Sequence, residues 1–304
     1  MILITGGFGF IGQNLARLLI GAGVPVALTR FRTSVLPPDL ELHRGKQLTV
    51  VDLDLREPWG ALDLLKRLGV TQIVHLATAG WTGSVSADHT ANVGGLLTLL
   101  EAAHRTGVRR FVAASSIAVY ADAAGPYRED QPLSVELPAN GPGCLKRGEE
   151  IAGGYFGAAT GLEVVFARIG IVYGPGYRSM RNLLSRIASS IARGTTLNAA
   201  DQLPPYADYT HVADIAAGLA AMATKASLAH AVYNLGHGRG LNRDELILEA
   251  ARQGLNAAGL TQLATLSGWP TENFMDVRRA AADFDYRPSL DLAAGLADYI
   301  KWLK

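Results

Sequence analysis

The residues best equipped for chemistry stand at the start of the chain, in the run Thr5-Gly6-Gly7-Phe8-Gly9-Phe10-Ile11-Gly12. A short apolar run over residues 2–5 precedes them and an amphipathic stretch over 10–22 follows, so the glycines fall in a strand-to-helix turn. Such a turn lets the backbone approach a pyrophosphate and aims helix N–H groups, with the positive end of the dipole, at it. The spacing is G-x-x-G-x-x-G rather than G-x-G-x-x-G, and the strand before and helix after carry the reading of a dinucleotide site. Gly6, Gly9 and Gly12, with Phe10 and Ile11 at the helix start, are the candidate cofactor-binding residues. The second strand candidate bears on which dinucleotide. Val26-Ala27-Leu28-Thr29-Arg30-Phe31-Arg32 has no acid to accept a ribose 2′-hydroxyl and carries two arginines. Arginine binds phosphate through paired, charge-assisted hydrogen bonds, so Arg30 and Arg32 predict NADP(H); two solvated loop arginines are the alternative.

Two further residues could do chemistry. Trp81 lies after the fourth strand candidate, where α/β folds bind ligands, and is expected either to stack on a substrate or to pack. Cys144 follows Gly143 near a helix start, a setting that lowers a thiol pKa, but without an identified base it is read as structural.

The elements that must position these residues alternate. Strands are predicted at 2–5, 26–29, 48–51, 72–76, 111–115 and 163–167, and helices near 10–22, 59–68, 90–106 and 144–160, with Gly23, Gly69, Gly107 and Gly161 as C-terminal stops. This β-α-β alternation predicts an α/β fold, a Rossmann doubly wound parallel sheet covered on both faces. Beyond residue 168 the pattern loosens, with Gly-Pro and Pro-Pro turns at 174–175 and 204–205 and helices near 182–192, 212–224 and 242–253. The expected organisation is a cofactor domain over 1–167 and a smaller C-terminal substrate-binding lobe over 168–304, with segments near 206–235 returning to the sheet.

Bulk properties narrow the classes. The 304 residues can bury a large core, and 49% hydrophobic with 18% charged residues argues against disorder. Twenty-eight basic against 27 acidic residues leave a net charge of +1 without a long run of either sign, so neither a nucleic-acid nor an anionic-membrane surface is expected. A single cysteine excludes an internal disulfide and any zinc spacing, and fits a reducing compartment. Residues 1–24 lack the basic start of a signal peptide, and no run reaches about 18 apolar residues, so a soluble, cytoplasmic chain with a small-molecule partner is expected.

Further pieces bear on family. They are Asp54-Leu55 after the third strand, His75-Leu76-Ala77-Thr78 after the fourth, Asn92-Val93-Gly94, Ser115-Ser116 with Val119-Tyr120, Val172-Tyr173-Gly174-Pro175, and His211-Val212-Ala213-Asp214. With the glycine turn, these make the chain similar to the extended short-chain dehydrogenase/reductase family, the group that includes NAD-dependent sugar epimerases and dehydratases. The resemblance implies that Asp54 and Leu55 hold the adenine and that Leu76, Ala77 and Thr78 line the ribose and phosphate path. It places Ser115 beside the cofactor, Ser116 at the catalytic Ser/Thr position and Lys146 as the lysine that binds the nicotinamide ribose, a register supported by Glu150 four residues later. His211 resembles a structural position, for packing or capping.

The chain departs from the family where the family's proton chemistry resides. In Tyr-x-x-x-Lys, one helical turn sets a phenol beside an ammonium that depresses its pKa. Here the tyrosine position holds Pro142, and no other lysine restores the pair. Ile171 and Ala207 stand where sugar-nucleotide-binding relatives often carry Asn and Arg, so the pocket reads as built for something flatter and less charged than a diphosphate. Ser116, Ile171 and Trp81 are its candidate lining residues. The expectation is therefore an NADPH-dependent ketoreductase of an aromatic polyketide ketone, of the kind found in antibiotic biosynthesis. The substrate or a water would supply the proton, with Ser116 and Lys146 as catalytic candidates. A non-catalytic NADP(H)-binding sensor and a nucleotide-sugar epimerase or dehydratase are the alternatives.

Overall fold

The computed structural model describes residues 1–31, 35–79, 82–120, 123–133, 141–197, 206–256 and 273–304. In chain order the elements begin β1 (Ile2–Thr5), α1 (Phe10–Gly21), β2 (Val26–Arg30), α2 (Pro38–Glu41), β3 (Leu48–Asp52), α3 (Pro58–Leu68) and β4 (Gln72–His75). They continue with α4 (Val85–His89), a π-helical turn (Thr90–Gly94), α5 (Gly95–Thr106), β5 (Arg110–Ser116), a 3₁₀ turn (Ile117–Tyr120), α6 (Gly141–Thr160) and β6 (Glu163–Ile169). Then come β7 (Ile171–Tyr173), α7 (Leu183–Arg193), β8 (Tyr206–Ala207), β9 (Tyr209–His211), α8 (Val212–Thr224), β10 (Val232–Leu235), β11 (Leu241–Asn242), α9 (Arg243–Arg252), α10 (Arg278–Phe284) and α11 (Leu292–Leu303).

The expected α/β architecture is present. Seven strands form one sheet in the order β10-β6-β5-β4-β1-β2-β3. Strands β3, β2, β1, β4 and β5 pair in parallel, with Ile2 opposite Val26 and Gln72, and His75 opposite Ala113. Strand order reverses between β1 and β4, and a parallel α/β sheet opens a crevice at the carboxyl ends of its strands at such a point. β1 is buried at all four positions, which is why it reads as an unbroken apolar run rather than an alternation. On one face of the sheet Leu3, Ala27, Ile73 and Phe111 pack with Leu64 and Leu65 of α3 and with Leu96, Leu99 and Leu100 of α5. Gly69 ends α3 in a left-handed conformation at φ 59°, as its position as a stop predicts.

The chain divides into two compact units, and neither is a single stretch of sequence. The first comprises Met1–Asp122, Leu133–Arg168 and Ala216–Tyr233; the second comprises Ala123–Pro132, Ile169–Ile215 and Asn234–Lys304. In the second, Leu184 and Ile187 of α7 pack with Leu246 of α9, Leu296 and Tyr299 of α11, and Tyr173. Asp208 organises the same unit from within. Fully buried, it accepts N–H groups from His237 (2.7 Å), Gly238 (3.3 Å) and Met275 (3.1 Å) and the Thr210 hydroxyl (3.1 Å).

Candidate functional site

The glycine turn is built by three different constraints. Gly6 sits at φ +65°, and a Cβ there would lie 2.8 Å from the Ala77 nitrogen, so the turn runs directly against the backbone leaving β4. A Cβ on Gly12 would lie 2.6 Å from the Gly6 carbonyl oxygen and 2.7 Å from Gly7 Cα, so the start of α1 packs onto the turn itself. Gly9 differs. It is exposed, its φ of −77° suits any residue, and a Cβ would meet only the Gly6 oxygen, at 3.0 Å. Gly9 is the N-cap of α1 and offers no side chain to the first-turn N–H groups. What its missing side chain leaves open is the space in front of a helix N-terminus, flanked by Phe10 and Ile11. The Gly6 N–H donates to the Thr29 hydroxyl (3.3 Å) and the Gln13 side chain to the Phe8 carbonyl (2.7 Å), which holds the turn between β1, β2 and α1.

At the end of β2, Arg30 is already engaged. Its guanidinium forms a fork on Asp52, at 2.7 and 2.9 Å, from the directly opposite position on β3. Arg32 and Trp81 lie outside the described residues. Asp54 accepts a fork from Arg56, which also lies over the Phe31 ring at 5.5 Å, so an adenine partner of Asp54 would share its carboxylate with that arginine. Leu55 packs beside Gly95 of α5, where an added Cβ would lie 3.3 Å away.

Behind the turn, the buried Thr5 hydroxyl meets His75 Nδ1 at 2.7 Å and accepts the Ala77 N–H at 3.3 Å. The hydroxyl therefore links the ring of His75 to the backbone leaving β4. Burial, reinforced by the Lys146 charge, pushes the His75 pKa down to about 3. Leu76 and Ala77 are half-buried and Thr78 is exposed along the path out of β4. The next residue is secured by Asn92 in the π-helical turn, whose Oδ1 accepts the Ala79 N–H at 2.8 Å and whose amide donates to the Asp88 carbonyl at 2.7 Å. Asn92 belonged to the motif pieces read from the sequence but carried no role there.

The two serines point to different tasks. Ser115 is buried and donates to Glu150 at 2.5 Å; Glu150 in turn receives a fork from Arg168 at 2.9 and 2.7 Å, and Arg168 also donates to the Tyr120 hydroxyl at 2.8 Å. The Ser115 hydroxyl therefore ties β5 to α6. Ser116 is half-buried, and its hydroxyl accepts the Ala118 N–H at 3.2 Å, which caps the 3₁₀ turn. Helix α6 begins at Gly141, earlier than predicted, with the exposed Pro142 in its first turn, where a missing N–H costs nothing. One turn on, Lys146 is 11% exposed and its ammonium lies 2.7 Å from the Glu149 carboxylate, itself 3% exposed. Burial pushes the Glu149 pKa up, with the Lys146 charge opposing it and the Glu150 charge adding to it. Glu149 escaped the sequence reading, although its i, i+3 spacing from Lys146 was a visible signal.

Ala207 is buried in the core of the second unit, and Ile171 packs against that core from β7. His211 packs edge-on to Tyr173, with ring centroids 5.4 Å apart, and caps the Ala213 N–H at 3.3 Å, in line with a packing and capping role. Among the described residues no group of His, Cys, Asp and Glu could hold a metal, and no helix is long and apolar enough to cross a membrane.

Comparison with known proteins places this geometry. The model of the NAD dependent epimerase/dehydratase family matches residues 2–236. A dTDP-glucose 4,6-dehydratase of Streptomyces griseus is 29% identical, over 99% of this chain and 93% of its own. Among solved structures, the dTDP-glucose 4,6-dehydratase of Bacillus anthracis in complex with NAD superposes with a TM-score of 0.83 at 21% identity, covering 99% of this chain and 95% of that one. MoeE5 in complex with UDP-glucuronic acid and NAD superposes with a TM-score of 0.79 at 28% identity, covering 99% and 98%. These matches overturn the expectation of a ketoreductase acting on an aromatic polyketide in antibiotic biosynthesis. The chain aligns along almost its whole length with a nucleotide-sugar dehydratase.

Proposed function

The chain belongs to the NAD dependent epimerase/dehydratase family, and on that premise we propose that it binds a nicotinamide dinucleotide and acts on a nucleotide-linked sugar, as a dehydratase or epimerase. The observation that carries the reading is the match along almost the whole of both chains with the Streptomyces griseus dTDP-glucose 4,6-dehydratase. What supports the cofactor is the turn, where Gly9 leaves clear the approach to an uncapped helix N-terminus at the switch point of the sheet. Gly6, Gly9, Phe10, Ile11 and Gly12 would hold the pyrophosphate, Asp54 and Leu55 the adenosine, Leu76, Ala77 and Thr78 the intervening path, and Lys146 the nicotinamide ribose. When bound, the nicotinamide supplies a reversible hydride acceptor for a sugar carbon. Ser116 would hold the reacting sugar oxygen.

Arg30 supports NADP(H) over NAD(H). Its partner Asp52 is 71% exposed, and a surface ion pair of this kind is weak enough for a 2′-phosphate to draw the guanidinium away. Pro142 favours a second reading, a cofactor-binding sensor without turnover. One set of measurements separates them: calorimetric titration of NAD⁺ and NADP⁺, then dTDP-glucose and UDP-glucuronic acid added to the loaded protein with product analysis. Binding and conversion of either sugar nucleotide is the expected result. Cofactor binding with neither sugar bound at millimolar concentration would sink the nucleotide-sugar reading, and sugar binding without conversion would favour the sensor.

A further inference from the structure

Helix α6 presents two adjacent glutamates whose circumstances differ. Glu150 is fully compensated: Arg168 grips both carboxylate oxygens and Ser115 donates to one of them. Glu149 is as deeply buried, yet the one side chain bonded to its carboxylate among the described residues is Lys146, at 2.7 Å. A buried carboxylate with a single cationic partner loses most of its compensation if that partner moves. Lys146 is also the group whose charge reaches His75 on β4, at the carboxyl end of the sheet where the candidate site lies. His75 is poorly placed to take the proton, because Thr5 occupies Nδ1 and burial keeps the ring neutral. One turn before Lys146 stands Pro142, with no titratable group at all.

We propose that Glu149 is the positioning residue and proton partner of Lys146, fixing its ammonium in the site and taking up, through it, the proton released by the substrate hydroxyl. The choice of substrate rests on the proposed function above. A bound nicotinamide would supply the hydride acceptor for the electron pair of the sugar C–H bond, and the chain's own residues would handle the proton. The hydroxyl O–H bond breaks and its proton forms a new N–H bond on Nζ of Lys146 as one existing N–H proton passes to Oε2 of Glu149. Lys146 ends as ammonium and Glu149 as neutral acid, and the reverse sequence returns the proton to the sugar oxygen. Burial that raises the Glu149 pKa makes its carboxylate a competent acceptor, and Lys146 and Glu150 are the charges that act on it.

The ligand-free protein tests the pairing first. In full-length chain labelled with ¹³C at glutamate carboxyls, the Glu149 signal, assigned by its loss in Glu149→Gln, is titrated in the parent and in Lys146→Met, with Lys146→Gln as the second variant should methionine disturb folding. Removing the ammonium is expected to move the Glu149 midpoint upward by at least about one pH unit. An unchanged midpoint in a folded variant overturns the proposal. Turnover of dTDP-glucose with saturating cofactor tests the relay. Glu149→Gln should lose about 10²-fold in kcat with cofactor Kd within about threefold of the parent, and Glu149→Asp should recover part of the loss. A kcat within about threefold of the parent overturns the relay, as does a loss matched by equal loss of cofactor binding and of Tm. A parent that converts neither dTDP-glucose nor UDP-glucuronic acid overturns the proposed function, and the carboxyl titration still decides whether Lys146 and Glu149 are coupled.

Discussion

Gly9 and Gly12 lie three residues apart in one turn, yet substitution at each should fail for a different reason. A side chain on Gly12 has nowhere to go, because the first atom beyond Cα would sit 2.6 Å from one backbone atom and 2.7 Å from another. Gly12→Val should therefore cost at least about 1–3 kcal/mol in stability through overpacking. A side chain on Gly9 meets only the Gly6 oxygen, so Gly9→Val should remain folded while weakening cofactor affinity by tenfold or more, about 1.4 kcal/mol. Circular dichroism with cofactor titration on both variants checks this, and unaltered binding by Gly9→Val would mean the pyrophosphate does not pass that position. Arg30 poses a question of competition. Asp52 holds it, and Arg30 in return holds the Asp52 carboxyl below the usual carboxylate range. Asp52→Asn should loosen Arg30 and tighten NADPH relative to NADH by a few-fold, whereas Arg30→Ala should narrow the difference. Titration of both cofactors against both variants measures it, and a preference that neither substitution moves would remove Arg30 from the 2′-phosphate.

The elements explain why part of this site could be read from the sequence and part could not. The glycine turn is local: strand, turn and helix follow within about two dozen residues, and β1 and α1 lie where the apolar run and the helical period place them. Arg30 and Asp52, and Thr5 and His75, are register partners across parallel strands, 22 and 70 residues apart, and nothing in the composition of either strand announces its neighbour. β10 was not predicted as a separate strand, for a related reason. Its Asn234 interrupts the apolar run, but inside the fold it is fully buried with its amide on the carbonyls of Tyr127 and Asp276, a satisfaction only tertiary structure supplies. The burial of His75 has a measurable consequence. A histidine whose folded pKa is held near 3 against about 6.5 unfolded contributes stability present above pH 6.5 and lost as pH falls toward 3, by about 1.4 kcal/mol per pH unit. Urea unfolding between pH 7 and pH 5 should show this component in the parent and not in His75→Gln. Parallel slopes for the two proteins would mean that His75 is as easily protonated folded as unfolded.

At the scale of the whole chain, the first unit takes its last segment, Ala216–Tyr233, from beyond residue 168. That segment contributes more than an edge to the sheet. Arg110 at the start of β5 is fully buried, and its guanidinium donates to the carbonyls of Met222 (2.8 Å), Lys225 (2.6 Å) and Ala226 (3.4 Å) and pairs with Glu163 (2.8 Å). These carbonyls close the C-terminal end of α8, where a cation is favoured both by the free oxygens and by the dipole. Alongside, the Phe166 N–H donates to the Ala231 carbonyl at 2.8 Å, which begins the pairing of β10 on β6. A fragment of residues 1–168 would keep the glycine turn, Lys146, Glu149 and the Arg110–Glu163 pair, but would take from Arg110 its three carbonyl partners and leave β6 as an open edge. Losing a buried charge's partners costs about 3–5 kcal/mol, a large share of the roughly 5–15 kcal/mol that holds a domain folded. The fragment should therefore unfold without a sharp transition and bind cofactor poorly, whereas the full chain unfolds cooperatively and gains Tm on cofactor addition. Adding Arg110→Met to the fragment removes the under-compensated charge and should restore part of the cooperativity. A sharp urea transition for the unmodified fragment, with cofactor affinity equal to that of the full chain, would show that 216–233 is dispensable to the first unit and that residues 1–168 fold as a domain on their own.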